Sequence, residues 1–136
     1  MAKGLISVDV LREKLTSYQS KIRRRAAKII YKKKIMELAD AVHEALVKEL
    51  KDSRTWETQY YMILTLGKIG CVQSLPVLWE IVVKNEEHST VTFGATLSWL
   101  RLSRKYDTDI TPIFEVISWA KYSVLSGAMY WLIISL

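Results

Sequence analysis

The sequence predicts an all-α protein, an α-α superhelix of about seven to eight helices stacked as hairpins. Three observations carry that expectation. Glycine and proline number only 5 and 2 in 136 residues, too few for the turns of an all-β chain of this size. Apolar residues recur at three- and four-residue spacing along most of the chain, the period of a helix. Helix-stopping and helix-starting residues repeat at intervals in the thirties, which marks stacked helical hairpins.

The length suits one domain over residues 1–136, and 50% hydrophobic with 25% charged residues is the balance of a folded chain. Cys71 is the single cysteine, so no intramolecular disulfide can form, and with His43 and His88 it falls short of a Cys/His zinc set. No metal or cofactor is expected, and a reducing cytoplasm is the natural setting. The opening "MAKGLISVDV" has no apolar stretch of the kind a secretory signal needs.

The elements follow in order. A short amphipathic helix within residues 5–18 has Val8, Leu11 and Leu15 on one side. A first hairpin spans about 20–51. Its first helix buries Ile22, Ala26, Ile29 and Ile30, and on a 100° wheel Lys21, Arg24, Arg25, Lys28 and Lys32 gather on a different face. Its second helix carries Ile35, Leu38, Ala39, Val42, Leu46 and Leu50 on one stripe. A second hairpin spans about 54–84, with Ser53 as N-cap of an apolar helix. That helix ends at Gly70; Ser74 caps the next, with Pro76 in its first turn. A third hairpin spans 88–118, opened by Ser89 and, in its second half "TPIFEVIS", by Thr111 and Pro112. A final unpaired helix covers 119–136.

Two internal matches support repetition. "TVTFGATLSWL" (90–100) aligns with "SVLSGAMYWLI" (123–133) at an offset of 33, pairing Val91/Val124, Gly94/Gly127 and Ala95/Ala128, and Pro76 and Pro112 lie 36 apart. Hairpins this thin bury their apolar faces only by stacking. The stretch "GKIG" (67–70) therefore reads as a helix end and corner. A Walker loop needs Gly-x4-Gly-Lys-Ser/Thr after a strand, and a Gly-x-x-Gly clamp needs a companion sheet that no β-rich run here could build.

On "ETQYYMILTLGKIGCVQSLPVLWEIV" (57–82), with its Leu-Gly-x-Ile-Gly helix end and Leu-Pro-x-Leu restart, the chain resembles HEAT-like repeat proteins. "KIRRRAAKII" (21–30) is similar to the first-helix pattern of such repeats, while the units at 88–118 and from 119 onward diverge. The resemblance implies a curved right-handed superhelix used as a scaffold. Tetratricopeptide and armadillo arrays fit less well: the first lacks its Trp/Gly/Tyr/Pro pattern here, the second its third helix per unit.

Functional signals lie at the two ends. Residues 1–51 carry 13 Lys/Arg against 6 Asp/Glu, residues 52–136 carry 7 against 8, and no acid stands between Glu13 and Glu37. The ridge Lys21, Arg24, Arg25, Lys28 and Lys32 reads as a solvated outer face or as a site for an anionic partner, nucleic acid included. HEAT-like DNA glycosylases make the nucleic-acid version conceivable, but no acid flanked by tryptophans aligns with theirs. At the other end no charge occurs from Tyr122 to Leu136, a run too short to span a membrane. Terminal repeats ordinarily have a polar outer face, so this helix is expected to be covered, either by a second copy, with Trp119, Tyr122, Met129, Tyr130, Trp131 and Ile134 as the self-association surface, or by further repeats of a longer array. The tryptophans at 79, 99 and 119 are spaced by 20, which is no solenoid period. His43 and His88 read as surface residues without a nucleophile at motif spacing, and Cys71 as a packing residue. The resulting expectation is a non-enzymatic scaffold that binds protein and pairs with itself through 119–136. Nucleic-acid binding is the second reading.

Overall fold

The computed structural model describes residues 7–135; it is all-helical, with no strand among the described residues. Among the described residues seven α-helices follow one another: α1 Val8–Lys14, α2 Ser20–Lys33, α3 Ala39–Glu49, α4 Trp56–Ile69, α5 Leu75–Lys84, α6 Thr90–Ser103 and α7 Tyr122–Ser135. Short 3-10 turns at Met36–Leu38, Ser53–Thr55 and Val72–Ser74 lead into α3, α4 and α5, and a fourth lies at Thr111–Glu115. Residues 5 and 6 of the expected first helix and Leu136 of the last lie outside the described residues. No described helix is long and apolar enough to cross a membrane.

Four helices, α2, α4, α6 and α7, stand in a row, each packed on the next; α3 lies against α4 and α5 against α6. The apolar stripes dictate this. α2 buries Ala26, Ala27 and Ile30, α4 buries Met62, Ile63, Leu66 and Ile69, and α7 buries Val124, Ala128 and Trp131. Each large aliphatic side chain so buried contributes about 1.5–3 kcal/mol. α1 closes the α2 end with Leu11 and Leu15, both buried.

The row is tight because glycines stand where neighbouring helices cross. A Cβ at Gly94 would lie 2.8 Å from Cδ1 of Tyr60, and one at Gly127 would lie 2.7 Å from the Phe93 carbonyl oxygen. At Gly67 it would lie 2.7 Å from Cβ of Ser98. Hydroxyls stand at the same crossings: Ser98 Oγ donates to the Ile63 carbonyl at 2.9 Å, and Thr65 Oγ1 lies between the Tyr61 carbonyl of its own helix at 2.6 Å and that of Ala27 on α2 at 3.1 Å. The helix starts are also tied. Ser20 Oγ lies 2.6 Å from Thr58 Oγ1, while Ser123 Oγ accepts from the Ser89 N–H at 2.7 Å and donates to the Glu87 carbonyl at 2.8 Å.

Helix ends follow sequence chemistry in part. Gly70 is left-handed at φ 79° and ends α4, Pro76 sits in the first turn of α5, and Ser89 Oγ accepts from the Thr92 N–H at the start of α6. Three expected caps differ. Asp52, not Ser53, caps the turn before α4, by accepting from the Arg54 N–H. Ser74 turns its hydroxyl inward to His43. Thr111 is itself held by Asp109, whose carboxylate accepts from the Thr111 N–H at 3.0 Å and its hydroxyl at 2.7 Å.

The segment "TPIFEVIS" is not an α-helix: a 3-10 turn covers Thr111–Glu115 and irregular turns continue to Trp119. Its β-branched residues lose rotamer freedom in a helix. Ile113 and Val116, three apart, fill the core, which a 3-10 turn achieves without a long helix. Asn85, left-handed at φ 52°, then brackets the chain before α7: its Nδ2 donates to the Trp119 carbonyl and its Oδ1 accepts from the Lys121 N–H, both at 2.8 Å. That bracket keeps residues 119–121 out of the helix, so α7 starts at Tyr122 rather than Trp119.

One buried ion pair joins α2 to α3. Arg23 donates in a fork to Glu49, at 2.7 and 2.8 Å, and to the Ser17 carbonyl at 2.7 Å; Glu49 is 4% exposed.

Three outcomes test this packing. Gly127→Val should cost about 1–3 kcal/mol in urea unfolding, because the clash is with backbone and overpacking outweighs any gain in helix propensity. Glu49→Ala should cost about 3 kcal/mol by the same measurement, since it leaves a largely buried guanidinium without its counter-charge, held by the Ser17 carbonyl alone. Asp109 accepts from the Lys105 N–H at 2.9 Å as well as from Thr111, and these hydrogen bonds hold its pKa below the ordinary value. A depressed carboxyl stabilises the fold above its unfolded pKa and loses that contribution as pH falls through the folded value. Protection of the amides in residues 105–111, measured against intrinsic exchange at each pH, should therefore fall below the ordinary Asp range, and Asp109→Asn should abolish that fall.

Candidate functional site

The burial of Ala26, Ala27 and Ile30 turns the opposite side of α2 to solvent. Lys21, Arg25, Lys28 and Lys32 are exposed there, and Arg24, partly buried, reaches Glu57 of α4 at 3.7 Å. The five predicted cations thus share one ridge, while Arg23 is withdrawn to Glu49. The ridge continues onto α4 through two cation–ring contacts. Lys28 Nζ lies 4.4 Å from the ring centre of Tyr61, and Lys68 Nζ lies 4.1 Å from that of Tyr31.

Beside this ridge runs a groove of about 310 Å³ across the row. Each helix gives it one ring: Tyr31 from α2, Tyr60 from α4, Phe93 from α6 and Tyr130 from α7, with Arg101 also in the lining. The Phe93 and Tyr130 ring centres are 5.8 Å apart. Among the described residues no carboxylate lines the groove. Burial, with the neighbouring phenols of Tyr61, Tyr130 and Tyr31, raises the Tyr60 pKa above the ordinary phenol value. The sequence did not signal this groove, because its rings are unevenly spaced along the chain and meet only once the helices are stacked.

The predicted apolar end divides into three. Tyr122 and Met129 are exposed on the outward side of α7, where Leu125 and Ile133, not foreseen, join them; Tyr122 is 65% and Ile133 69% exposed. Tyr130 and Ile134 are exposed but line the groove towards α6. Trp131 is corrected: at 0% exposure it is core, because it lies on the side of α7 that carries Val124, Gly127 and Ala128 into α6. Trp119 is partly exposed, its Nε1 donating to the Glu115 carbonyl at 2.9 Å and its ring set edge-on to Trp79 at 6.1 Å. The spacing of 20 does have a structural consequence, since Trp79 also meets Trp99 at 4.6 Å. The three indoles form one cluster joining α5, α6 and the segment before α7.

His43 is not a free surface residue: its Nδ1 lies 2.8 Å from Ser74 Oγ, which lies 3.4 Å from Cys71 Sγ. Ser74 and Cys71 are buried, so this chain braces the α3–α5 corner and presents no hydroxyl or thiol to a substrate. Exposed His88 packs 5.6 Å from Tyr122. Among the described residues no three His, Cys, Asp or Glu side chains converge as a metal site would require. Comparison of the chain with protein-family models, curated proteins and solved structures returns no match.

Proposed function

We propose that the chain is a non-enzymatic, HEAT-like α-solenoid scaffold that binds protein and pairs with a second copy of itself through the outward side of α7. The observation that carries this is the contrast between the two ends of the helix row. At one end α1 presents Asp9, Arg12 and Glu13 to solvent, the polar cap that a stack of repeats requires. At the other end Tyr122, Leu125, Met129 and Ile133 are exposed with no charged residue on the helix, on the side where each earlier member of the row is covered by the next. A head-to-tail stack would set that apolar surface on the charged cap. Two copies related by a two-fold axis set it on itself, the closed arrangement that most homo-oligomers adopt. A HEAT-like reading is further supported by the alternation of row helices with α3 and α5 behind them. A cytoplasmic setting suits a chain whose one cysteine is a buried packing residue.

A second reading, an anionic partner on the ridge of α2, is favoured by one specific observation: Lys21, Arg25, Lys28 and Lys32 are exposed with no ion pair among the described residues. The first reading is tested by size exclusion with light scattering at micromolar concentration. The native chain should run as a dimer, and Met129→Glu with Ile133→Glu should run as a monomer with unchanged helical circular dichroism. A native monomer across the accessible concentration range, or a dimer indifferent to both substitutions, sinks the pairing.

A further inference from the structure

We infer that the ridge of α2 and the ring-lined groove form one site for single-stranded nucleic acid, laid across the helix row. The inference rests on the reading of the ridge as an anion-binding surface and adds the groove, which that reading did not use.

Two observations join the surfaces. Arg24, Lys28 and Tyr31 of α2 all touch α4, through Glu57, Tyr61 and Lys68 respectively, so the ridge adjoins the α4 side of the groove. Cations then flank the groove: the five of the ridge with Lys68 on one side, and Arg101 within it. Among the described residues the one carboxylate paired with them is Glu57.

The lining says what kind of anion fits. Four successive helices each contribute one ring to the same groove, and the last two, Phe93 and Tyr130, have ring centres 5.8 Å apart. Such a ladder suits a polymer that carries a planar group and a negative charge on every unit. Bases stack on rings whatever their sequence, while spaced lysines and arginines follow the phosphates. An acidic peptide offers both features only where its sequence happens to supply them. The phenols of Tyr31, Tyr60, Tyr61 and Tyr130 make no hydrogen bond among the described residues, which leaves them free for base edges or phosphate oxygens. A duplex keeps its bases stacked inside itself and could use the cations alone.

The test is fluorescence anisotropy of the full chain with a labelled oligothymidylate of about 12 nucleotides. A duplex of equal length and polyglutamate serve as competitors. The single strand should bind more tightly than the duplex, and its affinity should fall linearly with the logarithm of salt concentration. Tyr130→Ala should weaken the single strand about tenfold and leave duplex binding unchanged, whereas Arg25→Glu with Lys32→Glu should weaken both. Circular dichroism confirms that each variant folds. Equal affinity for duplex and single strand, with no effect of Tyr130→Ala, overturns the ring-lined site but keeps the anionic ridge. Displacement by polyglutamate as effective as by nucleic acid gives the ridge to an acidic protein and overturns the inference. Absence of binding to every anion at low salt removes both the inference and the reading beneath it.

Discussion

Everything in this fold depends on how closely neighbouring helices of the row approach. The contacts at Gly94 with Tyr60 and at Gly127 with the Phe93 carbonyl leave no space for a single methyl group. Close approach lets serine and threonine hydroxyls of one helix reach carbonyls of the next, as Ser98 reaches Ile63 and Thr65 reaches Ala27. The Ser98 bond, worth about 1 kcal/mol net, rewards one register and leaves a shifted one with a buried hydroxyl that has lost its Ile63 acceptor. The same approach decides what remains on the outside. With both flanks of α4 and α6 occupied and α3 and α5 behind them, each retains one open stripe, and the stripes merge into the groove that holds Tyr31, Tyr60, Phe93 and Tyr130.

The ends of the row obey the opposite logic. α1 buries Leu11 and Leu15 and turns Asp9, Arg12 and Glu13 outward, a surface that water solvates well. α7 buries one side through Val124, Gly127, Ala128 and Trp131, yet its other side is as apolar as an interior one. An uncharged helix so placed gains stability from any apolar cover, roughly 25 cal/mol for each Å² removed from water. The tyrosines and methionine on it are residue types enriched where proteins meet.

Much of this organisation was legible in the sequence, and the failures have physical causes. Helix positions followed from apolar periodicity, and the corner after "GKIG" from Gly70 and Pro76, because those signals are local. The five-cation ridge followed from a helical wheel, because α2 has one buried side. The wheel could not serve for α7, which is apolar all round: nothing local tells Trp131, in the core, from Tyr130 beside it. "TPIFEVIS" carried valid start signals, but Asp109 and Asn85 hold its flanks from outside the segment, and tertiary contacts overrode propensity. The groove was invisible for a similar reason, since it belongs to four helices and to no stretch of chain. The pairing of His43 with Ser74 joins residues 31 apart in sequence and had no motif to announce it.

The two proposed surfaces differ in the force that would hold a partner, and this makes them separable. Pairing through Tyr122, Leu125, Met129 and Ile133 removes apolar area from water and involves no charge, so added salt leaves it intact or strengthens it. Binding along Lys21, Arg25, Lys28 and Lys32 releases counterions and weakens steeply as salt rises. Tyr130 and Ile134 stand where the two meet, on the groove side of a helix whose outward side would face the second copy. Two-fold pairing would then set two basic faces either side of one uncharged seam. A strand long enough to cross both would gain from the doubled site as a tethered second binding event does. In such a protein the apolar end supplies the geometry and the basic faces the affinity, and only the second responds to ionic strength.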